Sequence, residues 1–247
     1  MFRRGTCFMQ NRKKWAKGIL PVAAVVLIAI VFFVYVGIYY HADAAAQKAM
    51  ASDENVQITR TDYGWFFDGV TEENALIFYP GGKVEATAYA PLLRALAENG
   101  FDVCLVEMPF RLAFFGANKA DAVLDSAVYA HRYIAGHSLG GVFAANYAAD
   151  HADKLDGVIL LASYTTKDLD PNLKTVLIYG SNDGVLNMEQ YKKNRDHVPA
   201  DATEVVIEGG NHAQFGSYGA QSGDGAAAIG PQQQIGETVA AITAALP

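Results

Sequence analysis

Positively charged residues are scarce over most of this 247-residue chain. Six of its 19 lysines and arginines lie within residues 1–17, which hold no acidic residue. The rest of the chain carries 13 basic against 26 acidic side chains, a net charge of −13. Nucleic-acid binding needs clustered Lys and Arg against the phosphates, so the sequence predicts no nucleic-acid partner.

Low-complexity tracts and internal repeats are also lacking, which excludes a solenoid. Charged residues make up only 18% of the chain and hydrophobic residues 51%, a composition that argues against disorder. The length after the N-terminal region suits one domain with a single sheet and helices on both of its faces.

One long hydrophobic run dominates the N-terminal region. Residues 18–40 read GILPVAAVVLIAIVFFVYVGIYY, 23 residues without a charge. At about 1.5 Å per residue such a helix is roughly 34 Å long, enough to span a bilayer. The run has no polar face, which argues against a helix packed on a globular core. The sequence therefore predicts one transmembrane helix over residues 18–40.

The basic residues 1–17 set the expected orientation, because positive charge favours the cytoplasmic side. We expect a cytoplasmic tail over 1–17 and the remaining domain outside the cell membrane. A second interpretation stays open, since Ala42-Asp43-Ala44 resembles a signal peptidase site, and cleavage near Ala44 would release a secreted domain. The apolar run exceeds the roughly 7–15 residues usual in signal peptides, which favours the anchor.

The two cysteines, Cys7 and Cys104, are expected on opposite sides of the membrane and so cannot pair within one chain. Cys104 lies in the apolar run DVCLVE, which favours a small core residue over a reactive thiol.

The remainder of the chain alternates between apolar runs and helical patterns. Residues 41–51 are Ala-rich and predict a juxtamembrane linker or short helix, so the domain is expected over 52–247. Apolar runs predict strands at 75–79, 102–107, 133–136, 157–162, 175–180 and 203–208, with an antiparallel edge from 56–60 and 65–69. Helices are expected at about 87–99, 119–131, 139–150, 189–194 and 232–246. This alternation is typical of an α/β fold with a mostly parallel sheet covered on both faces.

The pentapeptide Gly136-His137-Ser138-Leu139-Gly140 matches G-x-S-x-G and stands between a predicted strand and a predicted helix. A nucleophile elbow requires this context, because the serine occupies a strained turn and small neighbours let the helix approach the strand. The alternative is a Gly-rich turn in which Ser138 only caps the helix. We take Ser138 as the candidate nucleophile.

A serine hydroxyl needs a base, and in such folds the chain order is Ser, then Asp or Glu, then His. His212 follows the last predicted strand in the loop IEGGNHAQF and is the candidate base. His137 lies inside the elbow and is expected to point away from the pocket. The others are expected on helices, on helix ends or beside the membrane: His41, His131, His151 and His197.

The candidate acid is Asp183 in TVLIYGSNDG, 45 residues after Ser138 and 29 before His212. Its role would be to hold the imidazole tautomer and stabilise the imidazolium. Asn182-Asp183-Gly184 also fits a plain turn, and Asp168 and Asp170 are the reserve candidates.

Acyl transfer also needs hydrogen-bond donors for the developing oxyanion. The backbone N–H of Leu139, next to the nucleophile, is one candidate. The second is expected from Pro80-Gly81-Gly82-Lys83, with Gly82 preferred and Lys83 as the alternative. A simple strand-to-helix turn would account for the same residues.

The elbow, the YGSNDG loop and the EGGNHAQFG loop resemble those of the α/β-hydrolase superfamily, and more narrowly the small bacterial group related to dienelactone hydrolases. The resemblance spans about Ala75 to Leu246. Dienelactone hydrolases use a cysteine nucleophile where this chain has Ser138, so their substrate is not carried over. The wider superfamily implies ester, thioester or related acyl hydrolysis through an acyl-enzyme, without a metal or organic cofactor.

The leading hypothesis is a membrane-anchored serine hydrolase acting on small-molecule acyl substrates. Only Ser163 to Lys174 separate two predicted strands, too few residues for a large lid. Two alternatives remain: an acyltransferase with the same triad, and a non-catalytic, membrane-tethered binding protein on the same fold. Fold alone does not decide among them, and the sequence leaves the oligomeric state open.

Overall fold

The computed structural model describes residues 6–71, 73–125 and 129–246, and side chains from Pro21 onward. The chain divides into two compact units, Met1–Tyr39 and Tyr40–Pro247. The first unit is built on helix α1, Thr6–Gly37. Residues 1–5 of the expected basic tail lie outside the described residues. Over the described part of the chain, no helix combines the length and the apolar character needed to cross a membrane.

The second unit is organised around one eight-stranded sheet. Its strands are β1 Gln57–Arg60, β2 Gly64–Asp68, β3 Asn74–Tyr79, β4 Asp102–Val106, β5 His131–His137, β6 Gly157–Leu161, β7 Lys174–Gly180 and β8 Thr203–Ile207. Their order in space is β1-β2-β4-β3-β5-β6-β7-β8. Strands β3 to β8 are parallel, while β1 and β2 form the antiparallel edge. The expected mostly parallel sheet is confirmed.

Alternating side chains of the buried strands form two separate apolar cores. On β3, Leu76 and Phe78 face one core, whereas Ile77 and Tyr79 face the other. Successive side chains of a strand point to opposite faces, so a continuously apolar strand needs cover on both sides.

Helices supply that cover on the two faces. They are α2 Ala44–Ala49, α3 Ala90–Glu98, α4 Ala120–Leu124, α5 Leu139–Asp150, α6 Met188–Lys193 and α7 Pro231–Ala245. Residues of α3 and α7 contribute to the core that holds Leu76, and residues of α5 to the core that holds Ile77. Strand β6 ends at Leu161 and β7 begins at Lys174 with no helix between them, so the expected absence of a lid at this position agrees with the structure.

Of the two alternatives for residues 41–51, a linker or a short helix, the structure has the short helix α2, and the compact unit begins before the expected boundary. The second compact unit begins at Tyr40, not near Ser52. Asp43 caps α2 by accepting hydrogen bonds from the backbone N–H groups of Ala45 and Ala46, at 2.9 and 3.0 Å. Ala42 and Ala46 are buried in the same core as α3. Small alanine side chains let this segment pack closely, which a search for large apolar residues overlooks.

The expected helix over residues 18–40 is also corrected at both ends. Helix α1 begins at Thr6 and ends at Gly37. Tyr40 instead forms an isolated parallel bridge with Val84. Its N–H donates to the Lys83 carbonyl at 2.8 Å, and its carbonyl accepts from Glu85 at 2.9 Å. The last residue of the apolar run thus belongs to the globular unit.

A third correction concerns the helix expected over residues 119–131. Helix α4 ends at Leu124, and residues 126–128 lie outside the described residues. His131, expected on a helix or its end, is the first residue of β5 and pairs with Asn74 of β3. Strand β5 begins with the polar residues His131 and Arg132, so the apolar run that indicates a strand starts only at Tyr133.

Candidate active site

The sharp turn between β5 and α5 carries Ser138. Its backbone has φ 53° and ψ −125°, a conformation that non-glycine residues rarely adopt. The turn is tight enough that a Cβ on Gly140 would lie 2.2 Å from the Pro80 carbonyl oxygen. The Ser163 hydroxyl donates to the Ser138 carbonyl at 2.8 Å and fixes the turn from the neighbouring strand end. These features are those of a nucleophile elbow.

The loops after β7 and β8 bring Asp183 and His212 together. Oδ2 of Asp183 lies 2.9 Å from Nδ1 of His212, and only 2% of either side chain is exposed. Oδ1 of Asp183 accepts from the N–H groups of Val185 and Leu186, each at 2.8 Å. These bonds orient the carboxylate toward Nδ1 of His212. An ionised carboxylate only accepts hydrogen bonds, so the tautomer that fits this contact carries its proton on Nδ1 and its lone pair on Nε2. Nε2 is buried and has no hydrogen-bond partner among the described residues.

The two reserve acids lie elsewhere. Asp168 is exposed and pairs with His197 at 2.6 Å. Asp170 accepts a hydrogen bond from the N–H of Asn172 at 2.8 Å. Asp183 is the candidate that contacts His212.

Ser138 and His212 line one pocket of about 220 Å³. Its lining is mixed, with both apolar and polar side chains. The remaining lining residues are Leu139, Val142, Ala162, Ser163, Tyr164, Val185, Leu186 and Asn187. The volume is below the roughly 300 Å³ at which drug-sized ligand pockets begin. The pocket therefore has room for a small group only.

The loop after β3 approaches the N-terminus of α5. A Cβ on Gly82 would lie 2.9 Å from the Leu139 side chain, so glycine permits this close approach. The Lys83 N–H already donates to the Arg111 carbonyl at 2.8 Å, whereas the Gly82 N–H donates no hydrogen bond within the described residues. Leu139 is the first residue of α5, where an N–H has no acceptor inside the helix. Of the two alternatives at this position, the geometry favours Gly82.

Comparison with known proteins agrees with this architecture. A family model described as the alpha/beta hydrolase family matches residues 75–236. The chain belongs to the α/β-hydrolase family. The match supports the broad family and leaves the narrower resemblance to dienelactone hydrolases a prediction.

Several solved structures share the fold of this hydrolase. A predicted CIB-like hydrolase from Thermoplasma acidophilum has a TM-score of 0.56 at 16% identity, covering 76% of this chain and 98% of that one. Carboxyl esterase 2 from the mycorrhizal fungus Tuber melanosporum has a TM-score of 0.57 at 9% identity, covering 85% and 92%. A membrane phospholipase A, described as a bacterial virulence factor, has a TM-score of 0.57 at 13% identity, covering 94% and 99%. No curated protein sequence matches this chain.

His137 of the hydrolase is buried beside the site and does not line the pocket, as expected. Its Nδ1 lies 2.7 Å from the Tyr89 hydroxyl, which accepts from the Gly81 N–H at 3.0 Å. Its ring centroid lies 4.5 Å from that of His212. Burial, followed by the nearby charge of His212, holds the pKa of His137 well below the usual value, so this imidazole stays neutral.

Sequence reasoning missed two residues that hold the histidine loop. Oδ1 of Asp224 accepts from the N–H groups of His212 at 3.2 Å and Gly184 at 3.1 Å, which ties the acid loop to the histidine loop. Buried Gln234 of α7 bonds both backbone groups of Asn211, accepting its N–H at 3.0 Å and donating to its carbonyl at 2.7 Å. Neither residue lies in a motif, so no local signal marks it.

The stretch 214–225 does not line the Ser138 pocket. Several of its residues line a separate cavity of about 520 Å³ instead. Tyr218 is buried against Tyr40 and Tyr89, with ring centroids at 5.4 and 6.4 Å. This stretch contacts the histidine loop through Asp224, which accepts hydrogen bonds from the N–H groups of His212 and Ala213.

Proposed function

We propose that this protein is a serine hydrolase that cleaves carboxylic esters or thioesters through an acyl-enzyme. Ser138 is the nucleophile, His212 the general base and Asp183 the acid that orients it. One observation carries the proposal: His212 is hydrogen-bonded to buried Asp183, and His212 and Ser138 line the same pocket. A buried aspartate bonded to Nδ1 has this role in serine hydrolases on unrelated folds.

In the acylation step, the Ser138 hydroxyl proton moves to Nε2 of His212 while Oγ bonds to the carbonyl carbon. Asp183 stabilises the resulting imidazolium and does not itself take the proton. The tetrahedral intermediate collapses, and His212 returns the proton to the departing alcohol or thiol. Water then attacks the acyl-enzyme by the same sequence and releases the acid.

The N–H groups of Leu139 and Gly82 stabilise the oxyanion in both steps. Each such donor contributes about 3–4 kcal/mol to transition-state stabilisation in related chemistry. The Tyr89 hydroxyl holds Gly81, the residue before this donor, at 3.0 Å. The pocket volume favours a short acyl group, with the rest of the substrate outside.

We further propose that residues 18–40 anchor the protein in the cell membrane, with the catalytic domain on the extracytoplasmic side. The uncharged run and the preceding basic residues support this orientation. The packing of Tyr40, Ala42 and Ala46 favours an uncleaved chain, because cleavage near Ala44 would remove Tyr40 and Ala42 from the domain core. Mass measurement of the mature N-terminus tests this: a chain beginning at Ala45 would contradict the anchor.

Hydrolysis of a series of p-nitrophenyl esters, from acetyl to decanoyl, tests the catalytic proposal. We expect activity with the short esters and its loss in Ser138→Ala. The matched control is Ser222→Ala, which changes an exposed serine outside the pocket and should keep the activity. Equal activity of the wild-type chain and Ser138→Ala would contradict the proposed nucleophile.

A further inference from the structure

Three phenylalanines of the loop after β4 are exposed on the catalytic unit. Phe110, Phe114 and Phe115 retain 42%, 70% and 44% of their surface. Their rings meet edge to face, with centroids 5.4 Å apart for Phe110 and Phe115 and 5.3 Å apart for Phe114 and Phe115. We call these three residues the aromatic patch. Contiguous exposed apolar surface on a folded domain marks a contact with a partner or a membrane.

The backbone of this loop presents the patch in a defined way. Phe110 and Arg111 have φ values of 54° and 59°, in the left-handed region that side chains other than glycine rarely adopt. The Arg111 N–H donates to the Met108 carbonyl at 2.9 Å, and the Leu112 N–H to the Pro109 carbonyl at 3.1 Å. Unusual backbone conformations that their surroundings maintain cluster at binding and catalytic sites.

Backbone hydrogen bonds connect this loop to the candidate oxyanion loop and to the end of the apolar run. The Arg111 carbonyl accepts the Lys83 N–H at 2.8 Å, and the Lys83 carbonyl accepts the Tyr40 N–H at 2.8 Å. Tyr40 is the last residue of the uncharged run. The aromatic patch therefore lies beside the point where a membrane-embedded segment would join the catalytic unit.

The patch also contacts helix α5, whose first turn lines the Ser138 pocket. The Phe114 ring is 6.4 Å from that of Phe143 on α5. Phe143 directly follows Val142, which lines the pocket with Ser138. A surface bound to the patch would thus be next to the bond to be cleaved.

We propose that the aromatic patch docks onto the surface of the lipid bilayer and holds the pocket mouth against it, so that the substrates are esters dissolved at that surface. The inference rests on the proposed anchoring of residues 18–40. Aromatic rings are favoured at the boundary between headgroups and acyl chains. A bilayer is the occupant that the position of Tyr40 favours, since Tyr40 directly follows residues 18–39 in the chain and bonds to Lys83, which bonds to Arg111 of this loop.

The test uses the full chain in vesicles of phosphatidylcholine and phosphatidylglycerol. In a Cys7→Ser background, Phe114→Cys carries an environment-sensitive fluorophore, while Cys104 is only 2% exposed and resists labelling. The matched control is Val70→Cys, whose side chain is 56% exposed. Val70 follows β2 and precedes β3, so it lies at the amino edge of the parallel strands, opposite the pocket.

We expect the probe at position 114 to lose emission when the lipids carry nitroxide groups, and the probe at position 70 to keep it. Equal emission at both positions, in protein that sediments with the vesicles, would overturn docking and leave the anchor intact. Protein that does not sediment with vesicles would overturn both. In detergent without nitroxide lipids, self-quenching of the fluorophore at position 114 would show that the patches of two copies meet. If that were the only quenching observed, the patch would bind a second copy and the proposal would be overturned.

A functional measurement separates this inference from the hydrolase proposal. Phe114→Ser with Phe115→Ser should lower the hydrolysis rate of a vesicle-dissolved ester several-fold and leave that of p-nitrophenyl acetate unchanged. Equal loss on both esters would contradict docking. Absence of activity in the unsubstituted chain would count against the hydrolase proposal, whereas the fluorescence result would stand independently.

Discussion

Nδ1 of His212 lies 2.9 Å from Oδ2 of Asp183, and both side chains are almost wholly removed from solvent. The pair joins two loops that follow neighbouring parallel strands, β7 and β8. Parallel strands end at the same edge of a sheet, so residues distant in sequence meet there. Ser138 follows β5 at the same edge.

Replacement of Asp183 by Asn should lower kcat/KM by about 10³–10⁴-fold, because the amide no longer holds the imidazole in the required tautomer. Folding should be largely retained, since the amide oxygen still accepts hydrogen bonds from Val185 and Leu186. Asp168→Asn is the matched control, and its kcat/KM for p-nitrophenyl acetate should equal that of the wild-type chain. A large loss in Asp168→Asn instead would transfer the role to that residue.

Loss of the Gln234 amide should weaken both the fold and the site. In Gln234→Ala the buried N–H and carbonyl of Asn211 lose their partners, which should lower the free energy of unfolding by about 2–4 kcal/mol. Gln233→Ala changes the exposed neighbour on the same helix and should alter it by less than about 0.5 kcal/mol. Urea unfolding measures both, and equal stabilities would contradict this account of the histidine loop.

Two glycine substitutions should have opposite effects. Gly140→Ala would place a Cβ 2.2 Å from the Pro80 carbonyl oxygen and should destabilise the fold by about 1–3 kcal/mol. Gly236 lies inside α7, where an added Cβ meets nothing within 4 Å. Gly236→Ala should therefore stabilise the protein by roughly 1 kcal/mol through helix propensity. Thermal unfolding measures both effects: the melting temperature should fall in Gly140→Ala and rise in Gly236→Ala. A change of the same sign in both variants would contradict the described packing.

Buried His137 should make the protein less stable in acid. Its pKa is lowered in the folded state, so the unfolded chain binds the proton more readily as the pH falls below about 6.5. This histidine's contribution to stability is thus complete above pH about 6.5 and decreases by up to roughly 1.4 kcal/mol per pH unit below it. Between about pH 7.5 and about pH 5, the free energy of unfolding of His137→Gln should fall less steeply than that of the wild-type chain. Parallel curves would show that His137 titrates normally.

The N-terminal boundary can be tested by truncation. A chain that begins at Ser52 lacks Tyr40 and helix α2, whereas one that begins at Tyr40 keeps both. We expect the shorter chain to unfold at a temperature about 5 °C lower or more, because buried Ala42 and Ala46 are lost from the core. Identical melting temperatures would restore residues 41–51 to the role of a linker.

The parts of this fold that were predictable are those with a local signal. The strands are short apolar runs, and α5 was expected over the same residues, 139–150, that it occupies. The elbow around Ser138 and the loops of Asp183 and His212 follow strands directly, so chain order alone places them at one sheet edge.

The parts that escaped prediction depend on contacts between distant residues. Asp224 resembles an ordinary turn residue, yet its carboxylate joins the loops of Asp183 and His212. Gln234 is a polar residue in helix α7, and its hydrogen-bond partner, Asn211, lies 23 positions away in the sequence. Tyr40 ends an apolar run and still bonds to Lys83. Periodicity carries no information about such pairings.

The most direct test of the central claim is labelling of the folded full chain with a fluorophosphonate, followed by peptide mapping in a mass spectrometer. The account predicts one modified residue, Ser138, with labelling strongly reduced in His212→Ala and abolished in Ser138→Ala. Labelling of another serine, or equal labelling in His212→Ala, would contradict the proposed nucleophile and base.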